Sequence, residues 1–322
     1  MEQNEQIYDL LIAGAGPAGI EAGLQAKQAG INALIVDREE AGAIIANTMG
    51  GKKFYHSYGR NSEPPKGMLD FPDRKKGSEL VSLWKKQTES LSYLPNTVFE
   101  KIEDGDDGNY KIITNKGTFS APRLILATGT FSNPKHLGVP GEEGNASIHY
   151  EFDYNDFITD KNILVIGGGN SAVETALELS LDNNVTMLVR KPTLAEAVTE
   201  RNRVELEKEI ANGAVEIFYN SNAISFNGNE VTMDLDVQPL GEQGRTVVES
   251  FDIIYINIGY EKPSAWLESL SIALAENGLP KLSDHLETSR PGIFVAGALA
   301  GSDSIIASAN QSIEIIKYIK SL

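Results

Sequence analysis

Residues 8–37 have the sequence YDLLIAGAGPAGIEAGLQAKQAGINALIVD. An apolar run leads into a turn with Gly14, Gly16 and Gly19, a helix-competent segment follows, and a second apolar run ends at Asp37. In such a βαβ unit the first glycine makes the tight turn, the second lets a pyrophosphate approach the backbone, and the third lets helix pack on strand. The stretch therefore predicts a dinucleotide-binding unit, in which Asp37 is placed to hydrogen-bond a free adenosine ribose.

The helix of this unit is expected to begin near Pro17, because proline suits the first helical position. The free N–H groups of its first turn, which contains Ala18, are expected to point at the phosphates. Arg38 directly follows Asp37 and belongs to the predicted ligand contacts.

A second copy of the pattern starts at Ile163, and its segment Gly167-Gly168-Gly169-Asn170-Ser171-Ala172 aligns with residues 14–19. An alanine as the last residue is permitted by the pattern. Arg190 aligns with Asp37, and an arginine suits a ribose 2′-phosphate that a carboxylate would repel. The first site is therefore predicted to bind FAD and the second NADPH. The predicted NADPH contacts are Gly167, Gly169, Asn170, Ser171, Ala172, Arg190 and Lys191.

Composition excludes several classes of function. The chain of 322 residues is long enough for two domains, and its net charge of −17 argues against binding to nucleic acid or anionic membranes. It has no cysteine, which excludes disulfides, cysteine-ligated metals and thiol catalysis, and its four histidines lack metal-site spacing. No apolar run is long enough to span a membrane, and the acidic amino terminus has no signal-peptide pattern. We therefore expect a cytoplasmic protein without a metal site.

Three further segments carry structural predictions. Residues 77–91 have apolar residues at helical spacing, which predicts a helix with Trp84 in the core. Residues 61–76, rich in Pro, Gly and Lys, predict an irregular connection. The segment Ser302-Asp303-Ser304 offers N-cap residues for a final helix over residues 305–321.

Five motifs follow one another along nearly the whole chain. They are residues 14–19, Ala127-Thr128-Gly129, residues 167–172, Ile256-Asn257-Ile258-Gly259-Tyr260, and residues 291–297 before the last helix. In these motifs and their order the chain resembles the two-dinucleotide flavoprotein family that includes the low-molecular-weight thioredoxin reductases.

This resemblance implies an α/β fold with two Rossmann-like dinucleotide-binding domains, the NADPH domain being inserted into the FAD domain. The expected FAD-binding domain comprises residues 1–130 and 260–322, and the expected NADPH-binding domain residues 131–259. The family also implies a homodimer and a rotation between the domains, with hinges at residues 128–131 and 258–262. The remaining expected cofactor contacts are Thr128, Gly129, Gly259, Gly297, Ala298, Ser304 and Ile305. The last helix is expected to stabilise negative charge on the flavin through its amino-terminal dipole.

The chain departs from the family pattern at three places. Thioredoxin reductases carry a cysteine pair before the second glycine motif, where this chain has Tyr150-Glu151-Phe152-Asp153. The usual Gly-Asp near the carboxyl end, whose acid binds the flavin ribityl chain, is here Gly297-Ala298. An arginine that usually follows the second nucleotide strand is replaced by Ala195, for which Arg201 or Arg203 is a candidate substitute.

The residues and the resemblance together predict an FAD-dependent NADPH oxidoreductase. The nicotinamide is expected to donate a hydride to flavin N5, and the flavin to pass electrons to a separate acceptor. No side chain is predicted to act as a catalytic acid, base or nucleophile.

The acceptor stays open between several classes. A ferredoxin or flavodoxin would need a basic patch, for which Lys52-Lys53, Lys66 and Arg74-Lys75-Lys76 are the candidates, with a solvated loop as the alternative interpretation. A small-molecule disulfide or quinone would need no such patch. The chain also resembles bacillithiol disulfide reductase-like proteins in lacking the cysteine pair, and this resemblance implies a working cysteine where this chain has Ala18. A non-catalytic flavin- or nucleotide-binding sensor is the remaining alternative.

Overall fold

The structure is a computed structural model that describes residues 6–56, 64–105, 108–130, 133–154, 156–236, 244–302 and 304–322. The chain divides into two compact units, one formed by Met1–Ser132 with Lys262–Leu322 and the other by Asn133–Glu261. Each unit contains a five-stranded parallel sheet together with helices. The predicted α/β class is therefore confirmed, whereas the assignment of one cofactor to each unit stays a prediction.

Strands and helices are numbered in chain order through both units, and most of the strands in the described residues belong to the first unit. Its strands are β1 (Gln6–Ile7), β2 (Leu10–Ala13), β3 (Ala33–Val36), β4 (Lys53–Phe54), β5 (Lys75–Lys76), β6 (Ser92–Leu94), β7 (Phe99–Asp104), β8 (Tyr110–Thr114), β9 (Gly117–Ala121), β10 (Leu124–Leu126) and β19 (Ile293–Val295). Its helices are α1 (Pro17–Ala29), α2 (Ala43–Met49), α3 (Gly77–Thr88), α6 (Ser264–Ser269), the 3₁₀ helix Gly297–Ala300, and α7 (Ile305–Ser321).

The central strand β2 explains how the first unit is layered. The parallel sheet has the order β19-β10-β2-β3-β6, and a second sheet, β1-β9-β8-β7, is mostly antiparallel. Leu10 and Ile12 pack in the core formed with α1, α3 and α7, whereas Leu11 and Ala13 pack in the core shared with the second sheet and α6. Because both faces are covered, β2 is apolar throughout.

Two predictions in the first unit have clear outcomes. Trp84 is fully buried, as predicted, although its helix α3 ends at Thr88 rather than Leu91. The prediction of an irregular connection over residues 61–76 is wrong at its end, because β5 pairs with β4 in a two-stranded ribbon. The partner strand β4 lies outside residues 61–76, so the composition of that segment could not indicate the pairing. Residues 57–63 lie outside the described part of the chain.

The second unit contains β11 (Ile148–His149), β12 (Asn162–Ile166), β13 (Asn184–Leu188), β14 (Val215–Phe218), β15 (Asn222–Asn227), β16 (Glu230–Leu235), β17 (Arg245–Ser250), β18 (Ile253–Ile256), α4 (Asn170–Leu179) and α5 (Glu200–Ala211). Its parallel sheet has the order β11-β18-β12-β13-β14, and β15-β16-β17 form an antiparallel sheet. The exposed, polar strand β17 carries no apolar alternation, which is why the pattern did not predict it. In neither unit does a described helix have the length and apolar character needed to cross a bilayer.

Candidate functional site

The first glycine-rich turn lies at the carboxyl end of β2, where the strand order reverses between β3 and β10. Gly14 has φ of +110°, and a Cβ there would lie 2.3 Å from the carbonyl oxygen of Ala127. A Cβ on Gly19 would lie 1.8 Å from the carbonyl oxygen of Gly14. The packing of the protein itself therefore requires glycine at both positions.

Gly16 differs from its two neighbours in this turn. Its φ is −78°, and an added Cβ would meet no atom of the described chain within 4 Å. The fold places no demand for glycine here, whereas a pyrophosphate lying against the backbone would. This open position is the observation that fits a bound dinucleotide.

The amino end of α1 supplies donors beside Gly16. The helix begins at Pro17, and no side chain in the described ranges caps it. The first intrahelical bond runs from the N–H of Ile20 to the oxygen of Gly16 at 3.0 Å, so the N–H groups of Ala18 and Gly19 precede it. Such N–H groups are suited to phosphate oxygens.

Asp37 follows β3 and lies against the same turn. Its Oδ2 accepts the N–H of Ala15 at 2.5 Å, and its Oδ1 accepts the N–H of Glu39 at 2.8 Å. Burial raises the pKa of Asp37 above its ordinary value, and the two hydrogen bonds oppose that shift. Each oxygen keeps a lone pair that can accept a ribose hydroxyl. Arg38 instead lies beside Glu39, with Nε 3.4 Å from the carboxylate.

The carboxyl ends of β10 and β19 contribute the other predicted residues of the first unit. Thr128 is exposed, and Gly129 has φ of +69°. Gly297, at φ of +82°, donates its N–H to Oε1 of Gln311 at 2.8 Å, and a Cβ on it would lie 3.4 Å from Cβ of Ala18. The loop after β19 therefore lies beside the first glycine-rich turn.

Helix α7 begins at Ile305 and is capped as predicted. The Oγ of Ser304 accepts the N–H of Ala307 at 3.1 Å. The Oγ of Ser312 donates to the oxygen of Ala18 at 2.7 Å, which joins α7 to α1. Ala298 is half-buried in the 3₁₀ helix that precedes α7, so no carboxylate occupies the position of the family's acid.

Sequence reasoning did not identify two residues that hold residues 64–69 in place. Glu21 is fully buried in α1, and its carboxylate accepts the N–H groups of Met68 and Leu69. From α7, Asn310 accepts the N–H of Lys66 at 3.0 Å and donates to the oxygen of Pro64 at 3.1 Å. The available signal for Glu21 was that it is the only acid of α1 and stands between the apolar residues Ile20 and Ala22.

The second glycine-rich turn repeats the geometry of the first. Gly167 has φ of +148°, and a Cβ there would lie 2.3 Å from the carbonyl oxygen of Asn257. A Cβ on Gly14 would meet the carbonyl oxygen of Ala127 at the same distance. Gly169, with φ of −90°, would again place its Cβ in open space relative to the described atoms. Gly259 has φ of +90° and, like Gly129, adopts a positive φ. The two turns therefore occupy equivalent positions in the two sheets.

Helix α4 begins with the predicted contact residues of this second turn. Asn170 is its first residue, and its Oδ1 accepts the N–H of Thr199 at 3.1 Å and Nδ2 of Asn202 at 3.0 Å. Ser171 is exposed, and Ala172 is fully buried against the turn. Asn170 therefore ties the turn to the start of α5.

Arg190 and Lys191 follow β13, and both are exposed. The guanidinium of Arg203 instead donates to the backbone, from Nη2 to the oxygen of Ala195 at 2.5 Å and from Nε to Val198 at 3.3 Å. Arg203 therefore holds the loop that follows Lys191, while Arg190 has no hydrogen-bond or ion-pair partner among the residues whose structure is described.

The segment at the family's cysteine position forms a polar cluster. The hydroxyl of Tyr150 lies 2.7 Å from Nδ1 of His136 and donates to Oε1 of Glu142 at 3.0 Å. Burial and the Glu142 carboxylate raise the pKa of Tyr150 to about 12. Tyr260 donates to Oε1 of Glu151 at 2.9 Å, and burial together with that carboxylate raises the pKa of Tyr260. Both phenols are therefore neutral donors at pH 7.

Asn257 is the only residue with an unpaired buried side-chain atom in the described structure. Its Nδ2 donates to the oxygen of Tyr150 at 3.1 Å, while its Oδ1 is buried without a partner there. Because an unsatisfied buried acceptor is costly, this atom marks a place where a ligand donor would be stabilising. It adjoins the Gly167 turn, as expected for a site that binds a nucleotide.

Comparisons with known proteins identify one family and several relatives along most of the chain. The sequence profile of the pyridine nucleotide-disulphide oxidoreductase family matches residues 11–297. The bacilliredoxin reductase of Bacillus subtilis is 26% identical over 309 residues, which cover 91% of this chain and 90% of the relative. The ferredoxin–NADP reductase of Lactobacillus johnsonii is 27% identical over 297 residues, which cover 90% of this chain and 86% of the relative.

Solved structures show the same fold. The bacillithiol disulfide reductase of Bacillus cereus superposes with a TM-score of 0.85 at 22% identity, covering 98% of this chain and 99% of that structure. The thioredoxin reductase of T. acidophilum superposes with a TM-score of 0.80 at 24% identity, over 98% and 99% of the respective chains.

Proposed function

The chain belongs to the pyridine nucleotide-disulphide oxidoreductase family, and on that premise we propose that it passes electrons from NADPH through FAD to an external single-electron carrier protein of the ferredoxin or flavodoxin class. Family membership implies a flavin-dependent oxidoreductase with FAD and NADPH as cofactors. The acceptor class, a homodimeric assembly and a cytoplasmic location are the proposed parts.

The residues of the first unit are suited to hold FAD. Gly16 leaves room for the pyrophosphate, the N–H groups of Ala18 and Gly19 would bind its oxygens, and Asp37 would accept a ribose hydroxyl. The amino end of α7, which Ser304 caps, would stabilise negative charge on the flavin through the helix dipole. Bound FAD supplies the ability to take a hydride from NADPH and release the electrons to an acceptor.

The residues of the second unit are suited to hold NADPH. Gly169 leaves the corresponding room, and Arg190 offers a guanidinium without a competing partner in the described chain. A guanidinium pairs well with a phosphate, so Arg190 would favour NADPH over NADH. Asn257 would offer its unpaired Oδ1 to a donor of the same ligand.

The observation that carries the choice of acceptor is the chemistry of residues 150–153. The sequence contains no cysteine, so electrons cannot leave the flavin through a protein dithiol. Tyr150 and Glu151 are instead engaged by His136, Glu142 and Tyr260, and none of these groups can store electrons. A carrier that takes single electrons directly from the flavin needs no such relay. That one relative is named a ferredoxin–NADP reductase supports the same choice.

A reductase of a small-molecule disulfide or quinone is the second candidate, because another relative is named a bacilliredoxin reductase. In this chain a disulfide would have to react with the flavin itself, since the sequence contains no cysteine. A non-catalytic nucleotide-binding sensor is the third alternative.

An anaerobic titration followed by an acceptor screen tests the proposal. Adding NADPH to the purified yellow protein is expected to bleach the flavin absorbance. Steady-state turnover is then compared for an acidic ferredoxin, a flavodoxin, thioredoxin, a low-molecular-weight disulfide and a quinone. We expect a ferredoxin or flavodoxin to be reduced faster than either disulfide, at a rate that falls as salt rises. Faster disulfide turnover would select the second candidate, and no bleaching at all would select the sensor.

A further inference from the structure

Basic side chains from two distant parts of the sequence lie together on one ribbon of the first unit. β4 pairs antiparallel with β5, in a register that places Lys53 opposite Lys76 and Phe54 opposite Lys75. Lys52 and Arg74 directly precede the two strands. We refer to Lys52, Lys53, Arg74, Lys75 and Lys76 as the basic ribbon.

The basic ribbon keeps an excess of positive charge. The Arg74 side chain is 78% exposed, with Nε 3.6 Å from Asp73, and the Lys75 side chain is 44% exposed, with Nζ 2.7 Å from Glu79. These carboxylates offset part of the charge, while the other two strand lysines are exposed. On a protein with a net charge of −17, such a cluster is a local reversal of sign. Exposed ion pairs stabilise a fold little, so stability does not explain it.

The ribbon is fixed to the core that carries the predicted FAD elements. The N–H of Gly77, at the start of α3, donates to the oxygen of Lys52 at 2.9 Å. Phe54 meets Phe71 edge-on, with ring centroids 6.5 Å apart. Phe71 belongs to the same buried cluster as Ile306, the second residue of α7. A partner bound to the ribbon is therefore held by a packed surface of the flavin unit.

We propose that the basic ribbon is the docking surface for an acidic electron-carrier protein, an inference that rests on the function proposed above. Electron-transfer partners bind through small, transient interfaces, and opposite charges steer them together. The net charge of −17 repels an acidic carrier from the protein as a whole, which favours approach at the ribbon. An anionic membrane is less suited, because its extended surface would also meet the surrounding negative charge.

Charge reversal on the ribbon tests this proposal against a matched control. Lys53→Glu/Lys76→Glu reverses two opposed ribbon lysines, while Lys85→Glu/Lys86→Glu makes the same change in net charge on exposed lysines in the last turn of α3. The assays are NADPH reduction of the flavin by stopped flow, turnover with the neutral acceptor benzoquinone, and the KM for an acidic ferredoxin and an acidic flavodoxin. Cosedimentation with phosphatidylglycerol vesicles provides the membrane arm.

We expect the ribbon variant to raise the carrier KM roughly tenfold and to weaken its salt dependence, and the control to change the KM less than about twofold. Both variants are expected to keep the flavin reduction rate and the quinone turnover. The docking surface is overturned if the two variants have equal KM values for the carrier, or if vesicle binding depends on the ribbon while the carrier KM is unchanged. In either case the native protein still reduces the carrier, so the proposed function stands. If the native protein reduces neither carrier but turns over a disulfide or quinone, the proposed function itself fails, and the docking surface fails with it.

Discussion

The buried carboxylate of Glu21 accepts the backbone N–H of Leu69 at 2.6 Å, across 48 positions of the sequence. It also accepts the N–H of Met68 and Nε2 of Gln25. A Cβ on Gly67 would lie 2.3 Å from the carboxyl carbon of Glu21, so only glycine allows the loop to come this close. One acidic side chain of α1 thus holds in place a loop that lies outside the first glycine-rich motif.

Replacing this carboxylate is expected to destabilise the first unit. Glu21→Ala leaves the N–H groups of Met68 and Leu69 without their acceptor, which we expect to cost about 2–5 kcal/mol in the free energy of unfolding. Both tryptophans of the chain, Trp84 and Trp266, lie in the first unit, so urea unfolding followed by their fluorescence measures the change. Glu174→Ala, at the aligned position of the second unit, serves as the control. A native-like first-unit transition in Glu21→Ala would contradict the role assigned to Glu21.

Local sequence was sufficient for the two turns and for α7. The positive φ of Gly14 and the contact of Gly19 with Gly14 arise within one βαβ unit, and the Ser304 cap acts over three residues, so short motifs carry these signals. The Glu21 loop and the basic ribbon depend on partners that lie far away in sequence. No motif records such pairings, and both emerge only when the chain is folded.

The predicted cofactor sites also combine features that the sequence could predict with features that it could not. Aligning Arg190 with Asp37 predicted which nucleotide each unit prefers from side-chain charge alone. The unpaired Oδ1 of Asn257 could not be predicted, because it results from a hydrogen bond that occupies only Nδ2 with the oxygen of Tyr150. Whether a buried polar atom has a hydrogen-bond partner depends on its neighbours in three dimensions, which a sequence pattern does not record.

The glycines of the first turn are expected to separate binding from folding. Gly16→Ala adds a Cβ in open space at an ordinary φ, so we expect stability within about 1 kcal/mol of native and loss of FAD binding. Gly19→Ala brings a Cβ within 1.8 Å of the Gly14 oxygen. We expect this variant to lose both its native stability and its FAD binding. Urea unfolding of the flavin-free protein and FAD titration by fluorescence quenching measure the two effects. Tight FAD binding by Gly16→Ala would contradict the position assigned to the pyrophosphate.

Two substitutions in the second unit distinguish phosphate recognition from general nucleotide binding. Arg190→Ala removes a charge-assisted pair and is expected to raise the KM for NADPH roughly 10- to 100-fold while leaving NADH almost unchanged. Gly169→Ala is expected to weaken both nucleotides, because its Cβ would enter the space next to the shared pyrophosphate. Steady-state kinetics with both nucleotides provide the measurement. Equal use of NADPH and NADH by the native protein would count against Arg190.

Ala298 is where the chain lacks the acid that the family uses for the flavin ribityl chain, and restoring that acid is expected to tighten FAD binding. The residue is half-buried in the 3₁₀ helix between Gly297 and α7, beside the first glycine-rich turn. A carboxylate hydrogen bond to a hydroxyl is worth about 1.5–3 kcal/mol, so Ala298→Asp is expected to lower the FAD dissociation constant by roughly 10- to 100-fold. Ala298→Asn, which offers an uncharged oxygen of the same size, is expected to give a smaller gain. FAD retention during gel filtration and the dissociation constant from fluorescence titration measure both variants. Unchanged or weaker FAD binding in Ala298→Asp would mean that the ribityl chain follows a different path in this protein.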